Sequence, residues 1–417
     1  MSLSINNIDN HYMKTQLKQI FNWQKKSTSY QNKNNKDQAY FYGINAPQWS
    51  SREYEQFADQ AYIKNVIAHR AINIVAQAAA SVPWALYSLK GKDKVRIHNH
   101  ALLKLLERPS PFFAGAEFFE NIYAYKLISG NAFIQAVGKD HLPPKELHIL
   151  RPDRVSIVPD DLGNIVGYIY KVNRFEKFYP CNKLTGKTKI LHIKNFHPLD
   201  DLRGLSSIEA AAFSIDQHNQ AAAWNKSLLE NSARPSGALI VKNNGPYDGN
   251  LSDDQYSRIK EQLEEVFMGS KNTGRPLLIE GGLEWQEMSM SPKDMDFIES
   301  KNSAARDIAL AIGVPPQLLG IPGDNTYSNM QEARLALWEE TIIPLLDHLT
   351  DSLNHWLVPM YGDGLRLEYD VNDISGLSSR REKIWSRIEN ASFLSVNEKR
   401  QMVGLSPIDG GDSIAHS

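Results

Sequence analysis

Two helical stretches, with a self-contained piece of chain between them, restrict this sequence more than any other feature. Residues 206–231 read as one long helix, with Ser206 or Ser207 as its cap and Glu209 close behind. Residues 292–312 read as another, ended by Gly313-Val314-Pro315-Pro316. Between them the pattern predicts strand 238–241, helix 252–268, strand 276–280 and strand 283–288. The inserted helix opens on Ser252-Asp253-Asp254, where negative charge meets the positive end of the helix dipole. Two long helices flanking so small a unit cannot bury both faces of each helix by themselves. Neighbouring copies are the natural source of the missing contacts.

The preceding part is of mixed α+β type. Apolar positions from Tyr62 to Ala78 recur at helical spacing and predict one helix over 54–81, stopped by Val82-Pro83. A strand over 84–87 follows, then helices over 101–107 and 115–129. Gly130 supplies the left-handed cap that ends the second of these. Strands are predicted over 132–137, 147–150, 155–158, 165–172 and 190–193. Beyond the second long helix comes a polar Gly/Pro loop over 320–328, then a long helix over 329–356. Its apolar stripe runs Leu335, Trp338, Ile342, Leu345, Leu349, Leu353, Trp356, and Pro344 should kink it. A strand over 365–371 precedes a helical region over 378–403, broken near Phe393-Leu394-Ser395. Residues 1–50 are rich in Asn, Gln, Lys and Ser and read as a flexible arm, burying too little to offset the entropy of ordering.

Composition excludes several classes. A net charge of −2 is wrong for a protein that grips DNA by neutralising phosphates. The single cysteine, Cys181, leaves no intramolecular disulfide framework and fits a reducing cytoplasm. The most apolar stretch, 71–87, is interrupted by Asn73, Gln77, Ser81 and Pro83 and does not read as a membrane span. No secretory layout opens the chain.

Candidate catalytic motifs fail on chemistry. Gly269 to Gly274 has P-loop spacing, but Arg275-Pro276 follows where Lys and Ser or Thr are needed. Gly204-Leu205-Ser206-Ser207 lacks the second glycine of a nucleophile elbow and reads better as a helix cap. His98 with His100, and His348 with His355, have no Glu or Cys partner at metal-ligand spacing. The acid pairs Asp160-Asp161 and Asp200-Asp201 read as loop or cap residues. The expectation is a structural protein without catalytic residues, metal or cofactor.

An ordered set of short pieces then points to a family. They include Ala79-Ala80-Ser81-Val82-Pro83, Leu102 to Pro109, Gly130 to Ile134, Leu150 to Val155 and Leu191 to Lys194. Gly204-Leu205-Ser206, Ala233 to Gly237, Ile308 to Gly320, Tyr327 to Asn329, Trp338 to Pro344 and Asn397 to Arg400 with Gly410-Gly411 complete it. In order and coverage the chain resembles the phage portal (head–tail connector) proteins of siphovirus-like phages and gene transfer agents, from about residue 62 to 411. Ser207 stands where that family usually has Pro, and Ser232 where Gly is more usual.

The resemblance implies a portal fold. Its parts would be an N-terminal arm (1–50), an α+β wing (51–205 with 359–375), stem helices (206–234 and 291–314), an α/β clip (235–290), a tunnel loop with a kinked helix (315–358) and an α-helical crown (376–417). It implies a homododecameric ring in the virion, at the portal vertex of the capsid, built in the host cytoplasm, through which DNA is packaged and ejected. The implied partners are the terminase large subunit, the major capsid protein, the head–tail adaptor and double-stranded DNA passing without sequence specificity; no membrane is involved. The clip residues Asp253, Asp254, Lys271 and Arg275 would face the motor. The tunnel would be lined by Asn325, Thr326, Tyr327, Ser328, Glu332, Glu339 and Glu340. Between 329 and 353 five acids face one base, Arg334, a net −4. That charge would keep phosphates sliding, unless the acids merely solvate an outer helix face. Two other readings remain: a smaller head–tail adaptor or capsid ring protein, which would have no room for an insert between stems, and a phage nuclease or ATPase, which would need the missing P-loop or metal cluster.

Overall fold

The computed structural model describes residues 54–413 except 91–92, 140–141, 231–236, 242–253, 255–256, 258–282, 288–296, 323–326, 371–373 and 404–406. The expected N-terminal arm, and the helix and strand expected over 252–268 and 276–280, lie almost wholly outside these residues.

Asn65 divides what the apolar spacing predicts to be one helix over 54–81. Helix α1, Tyr54–Gln56, runs into a π-helical Phe57–Ile63. Asn65 then turns extended, at φ −98° and ψ 111°, and its side chain accepts the Ile67 and Ala68 N–H groups to start α2, Val66–Ala80. Its Nδ2 donates to Asn219, 154 positions away, at 2.9 Å. The periodicity crosses the break because both pieces face one core, so spacing alone does not reveal it. The buried face of α2 is rich in alanine: Ala68, Ala71, Ala76 and Ala79 let α4 approach closely.

Strand β1, Trp84–Lys90, pairs antiparallel with β2, Asp93–Ile97. β2 was not expected, since no alternation marks it. Helices α3, Ala101–Glu107, and α4, Gly115–Ser129, keep their predicted bounds. His100 caps α3 by accepting the Leu102 N–H at Nδ1. Gly130, at φ +72°, ends α4 in the left-handed conformation that glycine adopts at little cost.

Strands β3, Asn131–Val137, and β4, Glu146–Leu150, form a sheet with a later strand. β5, Val155–Pro159, β6, Ile165–Val172, and β7, Phe175–Pro180, form a second. β7 also escaped the sequence pattern, because Tyr179 is its one buried side chain. β8, Ile190–Lys194, completes the order β4-β3-β8. Asp160 and Asp200 accept neighbouring backbone N–H groups in their turns.

The first long helix opens as α5, Ser207–Ala210, and continues after Ala211 as α6, Ala212–Glu230. β9, Gly237–Val241, and β10, Leu283–Glu287, pair antiparallel across the intervening segment. The second long helix is α7, Phe297–Ile312, packed along α6. α8, Tyr327–Ala336, a π-helical Leu337–Ile342 and α9, Ile343–Trp356, run on end to end. β11, Leu365–Tyr369, returns to pair with β1, giving the order β11-β1-β2. Helices α10, Ser378–Glu389, and α11, Val396–Met402, close the described chain. The break between them falls where expected, and Ser395 and Glu398 form a reciprocal capping box. One core unites α2, α4, the ends of α5 and α7, and α9.

Candidate functional site

The α8–α9 rod is built around a missing hydrogen bond. Pro344 has no N–H to give, and its ring would crowd a regular preceding turn. The chain widens there into a π-helical turn, in which the Ile343 N–H reaches the Trp338 carbonyl five residues back. The rod begins two residues earlier than predicted, so Tyr327 and Ser328 are its first helical residues rather than loop. Polar residues suit a first turn, where backbone N–H groups lack partners. A 3-10 turn, Pro316–Leu319, precedes it and ends on left-handed Gly320.

The predicted apolar stripe points inward: Ile342, Leu345, Leu349, Leu353 and Trp356 are buried, and Leu335 and Trp338 are half-buried. Glu332, Glu340, Asp347 and Asp351 are exposed, and Glu339 is half-buried. Glu340, Asp347 and Asp351 recur at intervals of seven and four, which keeps them on one side of the rod. Asp347 accepts the Tyr369 hydroxyl at 2.6 Å, and burial together with that bond raises the Tyr369 pKa. Burial lowers the His348 pKa, the nearby Lys126 charge lowers it further, and Asp351 opposes them.

The structure thus brings three of the predicted tunnel acids onto one rod with two exposed. Asn325 and Thr326 lie outside the described residues, as do Asp253, Lys271 and Arg275. Asp254 is helical and exposed.

The long helix α5–α6 is anchored by a crossing of two glycines. A Cβ on Gly204 would come within 2.2 Å of the Gly130 carbonyl oxygen, and one on Gly130 within 2.4 Å of that of Gly204. Asn131 locks the crossing: its Oδ1 accepts the Gly204 N–H at 2.8 Å, and its Nδ2 donates to the Gly204 and Ser129 carbonyls. His192 Nε2 lies 2.9 Å from the same Oδ1, so it carries the proton. Burial, then the Lys194 and Arg203 charges, push the His192 pKa down to about 3, so the ring is neutral. Next along the chain, Ser206 caps α5 and donates to the Leu127 and Ile128 carbonyls.

Sequence reasoning found Gly130 and Ser206 through their cap signals, but not Asn131, His192 or Lys126. Lys126 belongs to an ordinary amphipathic helix, yet it is buried and lines a cavity of about 480 Å³ beside Glu340 and His348. The signal that could have marked it is its place four residues after Ile122 and three after Tyr123, on the buried face of the helix. Among the described residues, no group of three or more His, Cys, Asp or Glu could hold a metal, and no helix is long and apolar enough to cross a membrane.

Comparison with known proteins agrees with this architecture. Residues 67–404 match the family model described as phage portal protein. An uncharacterized protein of Rickettsia bellii (strain RML369-C) is 51% identical over 354 residues, covering 85% of this chain and 90% of its own. The portal protein of Enterobacteria phage HK97 is 21% identical over 367 residues, covering 85% of this chain and 82% of its own. Among solved structures, the neck of a native gene transfer agent particle, computed with C12 symmetry, holds a similar chain. The two share a TM-score of 0.66 and 40% identity, over 88% of this chain and 97% of that one.

Proposed function

The chain belongs to the phage portal protein family and forms a ring-shaped channel at a capsid vertex of a virion, and from that premise we propose how its parts divide the work. Twelve copies of a 47.2 kDa chain make a ring of about 570 kDa. The family is structural rather than enzymatic, and the channel needs no catalysis by this chain.

In this reading α6 and α7 are the stem, and the segment between them, 235–290, is the clip that docks the terminase motor and later the head–tail adaptor. The packing of α6 along α7, and the antiparallel pairing of β9 with β10 across the segment, support that division. The α+β part, 51–205 with 359–375, is the wing, and 376–417 is the crown. The pairing of β11 with β1 supports joining 359–375 to the wing.

The observation that carries the DNA path is the charge of the α8–α9 rod: exposed acids on one side, a buried apolar stripe on the other. Twelve such rods around a channel repel the phosphates of a passing duplex and leave it few places to stick. Tyr327 and Ser328 begin the rod with neutral groups that can touch DNA without holding it by charge. The test is Glu332→Lys, with Glu340→Lys as a second variant, after confirming rings of the expected mass. Packaging should slow or stall in both, most at low salt, where screening is weakest. Unchanged packaging at low salt would place this face of the rod away from the DNA.

A further inference from the structure

The cavity beside Lys126 opens between the end of α4, the segment after β8, the end of α7 and the rod. Lys126 is only 8% exposed, and among the described residues its ammonium makes no hydrogen bond or ion pair. A charge largely withdrawn from water without a partner is costly. The burial is felt in the group itself, whose pKa falls to about 8. Lys194 also lines the cavity, its Nζ already bonded to the Asp201 carbonyl. His348 lines it as well, with its pKa lowered. Two further lining residues, Phe196 and Leu310, stand 83% and 80% exposed.

We propose that this cavity is an intersubunit socket, in which Lys126 receives a carboxylate side chain from the adjacent copy of the chain in the ring. A twelvefold ring presses every copy between two neighbours, and its contacts are heterologous, so a socket on one copy meets a different surface on the next. The chemistry favours a protein side chain over DNA. A partly desolvated ammonium is matched by one carboxylate, and apolar Phe196 and Leu310 are suited to burial against another protein surface. Two lysines are too few to hold a phosphate backbone, whereas a single carboxylate needs only one ammonium. The inference rests on the ring.

Carbodiimide coupling of purified DNA-free rings tests it, because the reagent joins an amine to a carboxylate only in direct contact. The expected products are covalent dimers and higher ladders on a denaturing gel. Peptide mapping of rings mixed from isotopically labelled and unlabelled copies should place Lys126 in a bond to an Asp or Glu of the other copy. The same bond should be absent from Lys126→Arg rings, which keep the charge but cannot couple. Lys126→Met should leave the subunit folded, as read by its unfolding midpoint, and weaken ring association about tenfold, with Lys126→Arg near wild type. If Lys126 couples only to Glu340 of its own chain, or couples to nothing in intact rings, the socket is refuted. Lys126→Met rings that resist dilution as well as wild type refute it too, and so does loss of the cross-link on adding DNA with the rings intact, since DNA phosphate would then be the occupant.

Discussion

Replacing Asn131 by alanine removes four hydrogen bonds at the place where the α+β part hands the chain to its first long helix. Asn131 is 6% exposed, and its amide spans the Gly204 N–H and carbonyl, the Ser129 carbonyl and the His192 ring. Truncation leaves two donors, the Gly204 N–H and His192 Nε2–H, without acceptors. A buried polar group stranded in this way costs about 1–3 kcal/mol. One water entering the vacated space can restore one of the pair, so the expected loss is about 2 kcal/mol. Backbone rearrangement cannot relieve it cheaply, because the glycines already cross as closely as backbones allow. Urea unfolding followed by tryptophan fluorescence reads the change as a lower midpoint. Asn131→Asp sharpens the test: it keeps an acceptor for both donors but turns an oxygen toward the two carbonyls. Its carboxylate should also draw the His192 pKa up from about 3. A loss below about 1 kcal/mol in Asn131→Ala, together with wild-type stability in Asn131→Asp, would refute the idea that this network holds the junction.

Two further outcomes follow from buried groups. His192 binds its proton less tightly folded than unfolded, so its contribution is complete above pH 6.5 and is lost as pH falls from there toward about 3. Between pH 7 and pH 5 wild type should lose about 2 kcal/mol more than His192→Gln, which keeps an N–H for Asn131 but cannot titrate; parallel stability profiles would contradict this. The Tyr123 hydroxyl is buried with no partner among the described residues. Tyr123→Phe should therefore raise stability by about 1 kcal/mol in the same urea assay, and a loss of that size would reveal a partner for the hydroxyl.

The amino-acid sequence determined the elements whose signals are local. α3, α4 and β6 keep their predicted bounds, Gly130 adopts the left-handed cap, Ser206 caps its helix as its position implies, and the last helical region breaks near Ser395 as expected. The inward stripe of the rod and its acidic side were equally legible, because helical spacing needs only the neighbours along the chain. The order of short motifs also carried the family. What tertiary structure decided depends on residues far apart in sequence. Asn65 breaks a continuous helical pattern where its side chain reaches His218 and Asn219, and β2 and β7 exist because β1 and β6 offer them free edges. The π-helical turn before Pro344 meets α7 at Gly313, whose carbonyl Thr341 holds. Asn131 acquires its role only when Gly204 crosses Gly130. Lys126 becomes a candidate socket only when α7 and the rod close around it. Periodicity and capping act over a turn or two of chain, so they are written in order along the sequence. Burial, desolvation and the pairing of polar groups are settled by whatever the fold brings alongside.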